Sequence, residues 1–480
     1  MRSLVAELAG ICGEEQVLVD RDELRTYESD ALAYLRATPA VVCLPGTADE
    51  VRRVVRACYE REVPWVARGA GTGLSGGAMP IEDGVVIGLS RLRRILEVDL
   101  PNARVVAEPG VTNLAISHAV SPTHFYPPDP SSQVVCTVGG NVAENSGGAH
   151  CFKYGFTTNY VTGIELVLPD GDVVVLGGKE ADRPGYDLLG AFVGSEGTLG
   201  VATAITLRVV PVPERIRTLV AYFDSMGAAG RTVSDIVAGG IVPGAIEIMD
   251  RLSLAAAEQA TGAGNPDVAA ALIVELDGPA LECDPRLDAV VALCEAGGAT
   301  GIRVAGSDAE RELIWRARKA AFAAMGRVAP SYYVQDSVIP RTRLGEVLGR
   351  IEELAAEYDL RVANVFHAGD GNLHPLVAYD DAVPGEGARA EELAGRIVLA
   401  CVDAGGSITG EHGVGVDKKR YMPSMFSEPD LAAFQKLRCA FDPEQRANPG
   451  KVMPTPRLCG EVPGPYRRHP AEAAGIAERF

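Results

Sequence analysis

The stretch Arg68-Gly-Ala-Gly-Thr-Gly-Leu-Ser-Gly-Gly77 decides the fold, because it follows a strand-like run and contains the pattern GxGxxG. In a Rossmann domain that pattern opens a helix. Here Gly77, Pro80 and Gly84 follow, and a helix does not continue through such a series. The loop therefore predicts a non-helical anion cradle built from backbone N–H groups, with a plain glycine turn at a sheet corner as the alternative.

Two more polar, glycine-rich segments lie in the same half of the chain. One joins PPDPSS at 127–132 to TVGGNVAENSGG at 137–148, and the other is VGSEGTLG at 193–200. Segments of this kind are either flexible loops or polar walls against a large flat ligand. Because three of them occur together, we expect one extended ligand that is bigger than a single phosphate.

The composition is that of a large acidic protein, with 480 residues, 47% of them hydrophobic, and a formal net charge of −19. Such a charge argues against nucleic-acid and anionic-membrane partners. The sequence has no apolar run as long as the ~18 residues of a membrane-spanning helix, and its N-terminus does not resemble a signal peptide. We therefore expect a cytoplasmic protein without a transmembrane segment.

The ten cysteines are scattered along the chain, and no two form a CxxC pair. The pattern offers no zinc ribbon, thioredoxin motif, iron–sulfur ligand set or CxxCH haem motif. We expect buried, reduced thiols. If the protein carries out a redox reaction, its electrons must therefore leave to another molecule.

The order of predicted strands and helices indicates an α+β protein. In the first half, Thr47 caps a helix over VRRVVRACYERE, strands follow at VPWVARG and GVVIGLS, and GIELVLP forms a hairpin with DVVVLGG. In the second half, strands such as RTLVAYF and ALIVELDG alternate with helices, which predicts a largely antiparallel sheet with helices on one face. A boundary at 211–213 separates the two patterns best.

Three of the seven histidines fall in two short motifs, FHAGDGNLHP at 366–375 and GEHG at 410–413. The spacing of His367 and His374 fits a strand, a Gly-Asp-Gly turn and a return strand. In such a hairpin both rings could face one point. Glu411 adds a carboxylate, and such a set leaves positions open for substrate on a divalent metal. HExxH spacing is absent, which argues against a zincin protease. The alternative is a turn-capping histidine beside an ordinary surface histidine.

Together these motifs resemble the vanillyl-alcohol-oxidase (PCMH) type flavoproteins, and more narrowly the FAD-linked 2-hydroxy acid dehydrogenases. That group includes the flavin subunit of bacterial glycolate oxidase and the D-lactate and D-2-hydroxyglutarate dehydrogenases. The resemblance covers nearly the whole chain and rests on RGAGTGLSGGA, PPDPSS, GGNVAENSGG, CFKYGFTTNYV, VGSEGTLG, FHAGDGNLHP, GEHGVG and NPGKVMP. It implies an FAD-binding domain at 1–213 that includes an N-terminal helical segment. An α+β cap domain with the metal site would follow at 214–440, and 441–480 would return to the FAD domain before a loose tail.

The resemblance implies non-covalent FAD, since the glycine loop lacks the linking histidine of covalently flavinylated relatives. Residues 68–77 would wrap the pyrophosphate, the two later loops would follow the flavin, ribityl and adenosine parts, and Asn448 would lie near the isoalloxazine ring. The residues implied as FAD contacts are Arg68, Gly69, Ala70, Gly71, Thr72, Gly73, Ser75, Gly76, Pro128, Asp129, Ser131, Ser132, Gly140, Asn141, Asn145, Gly148, Thr158, Glu196, Gly197, Val201 and Asn448.

The same resemblance assigns roles around the histidines. It places a divalent metal, zinc, manganese or iron, on His367, His374 and Glu411. It makes His412 the base that takes the substrate hydroxyl proton, and an unperturbed histidine pKa of ~6.5 suits that role. It picks Arg318 as the bidentate partner of the substrate carboxylate.

One departure from the relatives bears on the substrate. Relatives that act on dicarboxylic acids carry a lysine at the position where this chain has Val334. The expected substrate is therefore a small or apolar 2-hydroxy acid of the glycolate or D-lactate class.

The predicted function is FAD-dependent oxidation of such an acid to the 2-oxo acid, with electrons passed to an acceptor other than NAD. The resemblance implies an iron–sulfur partner subunit, a quinone or another electron carrier, which could hold the protein at the inner face of the membrane; a homodimer stays open. Three alternatives remain at this point. They are a dehydrogenase of a longer D-2-hydroxy acid such as D-2-hydroxyglutarate, a non-catalytic FAD-binding subunit, and a flavoprotein whose metal is only structural.

Overall fold

The computed structural model describes residues 1–32, 34–180, 184–454 and 459. The loose tail expected at the C-terminus lies outside these residues, apart from Cys459. Within the described part of the chain, no helix is long and apolar enough to cross a bilayer.

The first half of the chain forms a mixed sheet, an antiparallel sheet and a short two-stranded antiparallel pair. Its strands are β1 (Val17–Leu18), β2 (Val41–Cys43), β3 (Trp65–Arg68), β4 (Val85–Gly88), β5 (Ile95–Asp99), β6 (Arg104–Ala107), β7 (His124–Phe125), β8 (Val161–Val167), β9 (Val173–Gly177), β10 (Val201–Arg208) and β11 (Val210–Pro211). The mixed sheet has the order β1-β2-β4-β3, the antiparallel sheet has the order β5-β6-β10-β8-β9, and β7 pairs with β11.

The helices of the first half are α1 (Arg2–Cys12), α2 (Arg21–Arg25), α3 (Ala48–Glu60), α4 (Asn113–Val120), α5 (Val138–Glu144), α6 (Cys151–Tyr154) and α7 (Leu188–Phe192). The predicted cap of α3 is present, because the Thr47 hydroxyl accepts a hydrogen bond from the Glu50 amide at 3.1 Å. One apolar core joins α1 and α3 to the mixed sheet, and another packs α4 and α5 on the antiparallel sheet.

The glycine loop leaves β3 without forming a helix. The backbone from residue 69 to residue 84 is irregular, and the chain then re-enters the mixed sheet as β4, parallel to β3. The prediction that this GxGxxG does not open a Rossmann helix is confirmed. The predicted hairpin over β8 and β9 is confirmed as well, with Val167 paired to Val173.

The second half of the chain forms one large antiparallel sheet. Its strands are β12 (Arg215–Phe223), β13 (Ala245–Asp250), β14 (Ala270–Gly278), β15 (Gly301–Val304), β16 (Ser331–Val334), β17 (Ser337–Val338), β18 (Arg361–His367), β19 (Asn372–Leu373) and β20 (Pro375–Tyr379). The order is β15-β12-β14-β13-β18-β19-β17, and β20 joins β18 to β16. The predicted α+β class with a largely antiparallel sheet is confirmed.

Helices cover both faces of this sheet, so the prediction of helices on one face is wrong. The helices of the second half are α8 (Met226–Ala238), α9 (Arg251–Thr261), α10 (Ala280–Ala296), α11 (Asp308–Ala324), α12 (Leu344–Tyr358), α13 (Glu386–Asp403), α14 (Met422–Met425) and α15 (Glu428–Phe441). On β12, Leu219 and Phe223 face the core with α8, α10, α12 and α13. Val220 and Tyr222 face the opposite core, with α9 and α11. The continuous apolar run of β12 is the pattern of a strand buried on both faces.

The C-terminal segment returns to the first half. The Trp65 amide donates to the Arg446 carbonyl at 3.0 Å, and the Asn448 amide donates to the Trp65 carbonyl at 2.8 Å. Cys439 and Cys459 form a disulfide, so the prediction that every cysteine is reduced is wrong for this pair. The other eight cysteines are free and buried. The spacing of 20 residues between the bonded pair carries no local motif, which is why the sequence did not indicate it.

Polar contacts around α6 join the two halves. His150 Nδ1 lies 2.9 Å from Asp129 Oδ2, and its Nε2 lies 3.3 Å from Glu275 Oε1 on β14. Lys153 Nζ lies 2.5 Å from Asp277 Oδ1 on the same strand. The cation and the imidazole of the first half therefore meet carboxylates of the large sheet.

This contact predicts a pH-dependent contribution of His150 to stability. Burial by itself lowers the pKa of His150, but Asp129 and Glu275 raise it to about 10. The contribution should be complete below the unfolded pKa of ~6.5 and should fade as the pH rises through the folded value. We expect His150→Gln to lower the Tm by about 2–4 °C at pH 6 and by much less at pH 10, measured by scanning calorimetry.

The matched control is His118→Gln, since His118 is exposed on α4. It should leave the Tm unchanged across the same pH range. If the Tm of the His150 variant falls equally at both pH values, the contribution of His150 to stability is not electrostatic.

Candidate active site

A cavity of about 1100 Å³ lies between the glycine-rich loops of the first half and the large sheet of the second half. All three predicted loops contribute to its wall, within residues 68–78, 130–146 and 196–202. The second half contributes residues of α11 and β16 together with His374, Glu411 and His412. The three loops thus enclose one extended space, which fits one ligand larger than a single phosphate.

Most of the residues predicted to bind FAD lie in this wall. Those that line the cavity are Arg68, Gly69, Ala70, Gly71, Thr72, Gly73, Ser131, Ser132, Gly140, Asn141, Glu196, Gly197 and Val201.

The remaining predicted FAD residues lie outside the lining. They are Ser75, Gly76, Pro128, Asp129, Asn145, Gly148, Thr158 and Asn448. Ser75 holds the amides of Val416 and Asp417 through its carbonyl. Asn448 donates from Nδ2 to the carbonyls of Gly77 at 2.9 Å and of Glu196 at 2.7 Å. Direct contact between these eight residues and FAD stays a prediction.

The loop chemistry fits a bound dinucleotide. A Cβ atom at Gly69 would collide with the Thr137 hydroxyl, and Gly71 has a φ of +71° that disfavours any side chain. Glycine at these positions lets the backbone form the cavity wall itself. Arg68 adds a guanidinium that lines the cavity and donates to the Ala78 carbonyl at 3.2 Å. Backbone N–H groups with one cation are what a pyrophosphate requires.

The predicted histidine hairpin is present. His367 ends β18, the turn follows, and β19 and β20 bracket His374. The two rings lie 5.1 Å apart and nearly perpendicular, at 88°. Glu411 Oε1 lies 3.3 Å from His367 Nε2 and 3.2 Å from His374 Nε2. The sequence therefore predicted correctly that these three side chains converge.

The cluster fits a divalent metal. The candidate ligand atoms of His367, His374 and Glu411 all lie within 4.8 Å of one another. The second carboxylate oxygen of Glu411 is buried and has no hydrogen-bond partner. Two imidazole nitrogens and a carboxylate are the donor set of zinc, manganese and iron sites with open positions. A cation at this point would satisfy the unpaired oxygen of Glu411.

Glu247 on β13 is a site residue that the sequence analysis missed. Its Oε1 lies 2.7 Å from His367 Nδ1, and its Oε2 accepts from Arg318 Nε at 2.7 Å. The Glu247 side chain is fully buried and that of Arg318 is 3% exposed. A carboxylate behind a ligating histidine fixes the tautomer and orientation of the ring. The lone Glu in the apolar run AIEIMD was the available signal, because a buried carboxylate needs a partner.

Arg318 therefore lies next to the cluster of His367, His374 and Glu411, but it pairs with Glu247 and does not line the cavity. Arg316 and Lys319, which lie on the same helix α11 as Arg318, are exposed. Lys319 nevertheless lines the cavity, as does Arg36 of the N-terminal segment. These two cations bring positive charge to a cavity in an acidic protein.

His412 lies against the cluster. Its ring stacks on that of His374 at 5.0 Å and 18°, and its Nδ1 is buried without a hydrogen-bond partner. Burial lowers the pKa of His412 to about 4. The ring is therefore neutral at pH 7 and a weaker base than the unperturbed histidine expected from the sequence. Its unpaired Nδ1 is the atom available to accept a proton.

The turn that carries Glu411 and His412 is also held from the first half. Both carboxylate oxygens of Glu196 accept hydrogen bonds at 2.7 Å, one from the Val414 amide and one from the Gly415 amide. Glu144, another cavity residue absent from the predictions, lies beside them with its Oε2 buried and unpaired. Burial, and then the neighbouring Glu196, hold the pKa of Glu144 well above its ordinary value.

Apolar side chains form the cavity wall beside the metal cluster. Phe322 lies edge-on to His374 with ring centroids 5.8 Å apart, and both Phe322 and Val334 line the cavity. An apolar wall at this position accepts a short aliphatic group and offers no partner for a second carboxylate.

The Glu247 contact predicts a change in metal binding. Glu247→Gln keeps the shape of the side chain but removes the negative charge behind His367. We expect it to weaken binding of Zn²⁺ or Mn²⁺ by about 10–100-fold, as is typical for loss of such a supporting group. The measurement is competition with a chromogenic chelator.

Glu165→Gln is the matched control, because Glu165 accepts from Thr203 at 2.7 Å in the antiparallel sheet of the first half. It should leave metal affinity unchanged. Equal affinity of the wild type and the Glu247 variant would show that Glu247 does not support a metal ligand.

Two family models match the chain. The model described as FAD binding domain matches residues 39–177, and the model described as FAD linked oxidases, C-terminal domain, matches residues 212–452. The second model alone covers half of the sequence.

Curated relatives match over nearly the full length. The chain is 47% identical to the glycolate oxidase subunit GlcD of Escherichia coli K12, over 97% of this chain and 94% of the relative. It is 40% identical to the Bacillus subtilis protein of the same name, over 89% and 92%. It is 32% identical to a D-lactate dehydrogenase of Anaerostipes hadrus, over 91% and 94%.

Solved structures share the fold at low identity. The p-cresol methylhydroxylase structure with bound substrate superposes with a TM-score of 0.79 at 18% identity, over 94% of this chain and 96% of the other. The 4-ethylphenol oxidase of Gulosibacter chungangensis gives 0.77 at 19% identity, over 95% and 97%. The predicted vanillyl-alcohol-oxidase (PCMH) type fold is confirmed, and the chain belongs to the FAD-linked oxidase family of FAD-dependent oxidoreductases.

Proposed function

We propose that this enzyme oxidises a small 2-hydroxy acid, of the glycolate or D-lactate class, to the corresponding 2-oxo acid. One observation carries the proposal. His374, Glu411 and His412 line the same cavity as the glycine-rich loops that fit FAD. A metal-binding cluster, a proton acceptor and a redox cofactor site are thus adjacent, which is the arrangement that oxidation of an alcohol next to a carboxylate requires.

The proposed metal is a divalent ion, zinc, manganese or iron, held by His367, His374 and Glu411. An ion of this kind lowers the pKa of a hydroxyl that it binds and fixes the orientation of the carbinol carbon. Glu247 keeps His367 oriented toward it. The convergence of the three side chains and the buried unpaired oxygen of Glu411 support this assignment.

His412 is the proposed base. Its neutral ring next to His374 is placed to take the proton of the substrate hydroxyl. FAD, when bound, supplies the acceptor for the hydride that leaves the substrate carbon. The thirteen predicted FAD residues that line the cavity, together with the cavity wall around them, would hold and orient it.

Arg318 is the proposed partner of the substrate carboxylate, and it would share its guanidinium between that group and Glu247. Lys319 and Arg36 line the cavity and would attract an anion into it. Phe322 and Val334 favour a short side chain on the substrate. The two apolar residues, Phe322 and Val334, are what supports glycolate and D-lactate over the longer and dicarboxylic acids.

The electron acceptor is proposed from the relatives. Relatives at 47% and 40% identity carry the name glycolate oxidase subunit, which supports a multi-subunit enzyme. We propose that a partner subunit with iron–sulfur clusters, a quinone or another carrier reoxidises the flavin, and that such a partner would bring the protein to the inner face of the membrane. We also propose the division into an FAD domain at 1–213, a cap domain at 214–440 and a returning segment from 441.

The first test is anaerobic reduction of the purified FAD-loaded protein by a panel of acids. Glycolate and D-lactate should bleach the flavin absorbance within seconds, and D-2-hydroxyglutarate should do so much more slowly because Phe322 and Val334 offer no partner for its second carboxylate. Stopped-flow absorbance gives the rates. Bleaching by dithionite but by none of the acids would refute the proposed function, and preferential bleaching by D-2-hydroxyglutarate would refute the proposed substrate class.

A second test concerns the base. His412→Ala should slow substrate-driven bleaching by about 10²–10⁴-fold, the usual contribution of a positioned base, while FAD stays bound. The exposed His118→Ala is the control and should bleach at the wild-type rate. Fast bleaching by the His412 variant would remove His412 from the proton transfer.

A further inference from the structure

We propose that Asp336 is a positioning residue for this reaction, and the inference rests on the proposed function above. Asp336 lies between β16 and β17 and is fully buried. It gathers the turn 409–412, so that one carboxylate sets the positions of both the metal ligand Glu411 and the base His412. It acts through these residues and does not itself line the cavity.

The contacts to the turn are unusually concentrated. Asp336 Oδ2 accepts from the Thr409 hydroxyl at 2.6 Å and from the amide of Gly410 at 2.9 Å. The amides of Glu411 and His412 also donate to it, at 3.1 Å and 2.9 Å. Three successive amides aimed at one oxygen form an anion nest. Because two of those amides belong to the ligand and the base, moving the carboxylate moves both side chains.

Lys418 balances the charge of Asp336. Its Nζ lies 3.3 Å from Oδ2 and donates to the Asp336 carbonyl at 2.9 Å, and both side chains are fully buried. A buried ion pair stabilises a structure only when its remaining donors and acceptors are satisfied. The hydroxyl and the amides of the turn satisfy this carboxylate, so the pair and the turn depend on each other.

The strand register also places Asp336 opposite His374, another of the three proposed metal ligands. Val334 pairs with Leu376, and Ser337 pairs with Leu373. Asp336 and His374 therefore lie opposite each other, between the β16–β20 pair and the β17–β19 pair. Asp336 Oδ1 lies 3.9 Å from His374 Nδ1. The carboxylate therefore faces the His374 ring while it binds the backbone amide of Glu411.

Asp336 could also be considered a ligand of a second ion, because Asp336, His374 and His412 form a close group. The neighbouring charge argues against this. The donors from the turn occupy the Oδ2 atom, and the Lys418 ammonium, 3.3 Å from it, would repel a second cation. The arrangement is that of a support for the site.

The test compares two threonines that each donate to a buried carboxylate at 2.6 Å, Thr409 to Asp336 and Thr218 to Glu275. Thr409→Val removes one hydrogen bond from the turn and leaves the Asp336–Lys418 pair intact. Thr218→Val removes the same kind of bond elsewhere in the large sheet. The readouts for the FAD-loaded protein are the dissociation constant for Mn²⁺ or Zn²⁺, the visible spectrum of the Co²⁺-substituted protein, FAD content, Tm and kcat.

We expect Thr409→Val to weaken metal binding by about 10-fold, the lower range for supporting groups, to shift the Co²⁺ spectrum, and to lower kcat by a similar factor. FAD content should not change. Thr218→Val should leave the metal affinity, spectrum and kcat at wild-type values, even if its Tm falls as far as that of Thr409→Val. Asp336→Asn should show the same changes as Thr409→Val, but larger.

Wild-type metal affinity, Co²⁺ spectrum and kcat in Thr409→Val would overturn the proposal. Equal effects of Thr409→Val and Thr218→Val would overturn it too, because a general loss of stability would then explain both. If Asp336→Asn does not fold, the pair of threonine variants still decides. The metal-binding and spectral readouts need no substrate, so their result is separate from a failure of the proposed function, which would appear as absence of bleaching in the wild type.

Discussion

The turn from Thr409 to Gly415 is held by buried carboxylates from two sides, and the geometry of the site depends on that restraint. Asp336 in the large sheet accepts the amides at the start of the turn, and Glu196 in the glycine-rich wall accepts the amides at its end. Glu411 and His412 lie in this turn, and their own amides are bound by Asp336. Burying a carboxylate costs little free energy only when all the N–H groups that donate to it are in place. The two halves of the chain must therefore meet correctly before this turn is fully satisfied.

The same physical rule explains how an acidic protein maintains a site for an anion. With a net charge of −19, the overall field opposes the entry of a carboxylate. Near the cluster, however, carboxylates are paired: Glu247 with Arg318 and His367, and Asp336 with Lys418. Arg36, Arg68 and Lys319 line the cavity and bring positive charge to it. The proposed metal would add further positive charge where the substrate binds.

Much of the site was predictable because its residues lie in short, chemically distinctive motifs. The spacing of His367 and His374 around a Gly-Asp-Gly turn predicted a hairpin, and the hairpin brings both rings together. The prolines and glycines after the GxGxxG pattern predicted a loop, since they exclude a helix. These inferences succeeded because turn geometry depends on neighbouring residues alone. Glu247 was missed, because its partners Arg318 and His367 lie 71 and 120 residues away.

By itself, the sequence determined the glycine-rich loops, the antiparallel strands, the hairpin and the candidate metal-binding side chains. All of these follow from local backbone preference and side-chain chemistry. Only the tertiary structure decided that helices cover both faces of the large sheet, because a run of apolar residues does not say what packs on each side. Only the tertiary structure brought Glu196 and Asp336 to the same turn. The bonds from Asp336 join segments 73–76 residues apart within the second half, and those from Glu196 join segments 218–219 residues apart across the two halves. Neither kind of packing has a signature in any one segment.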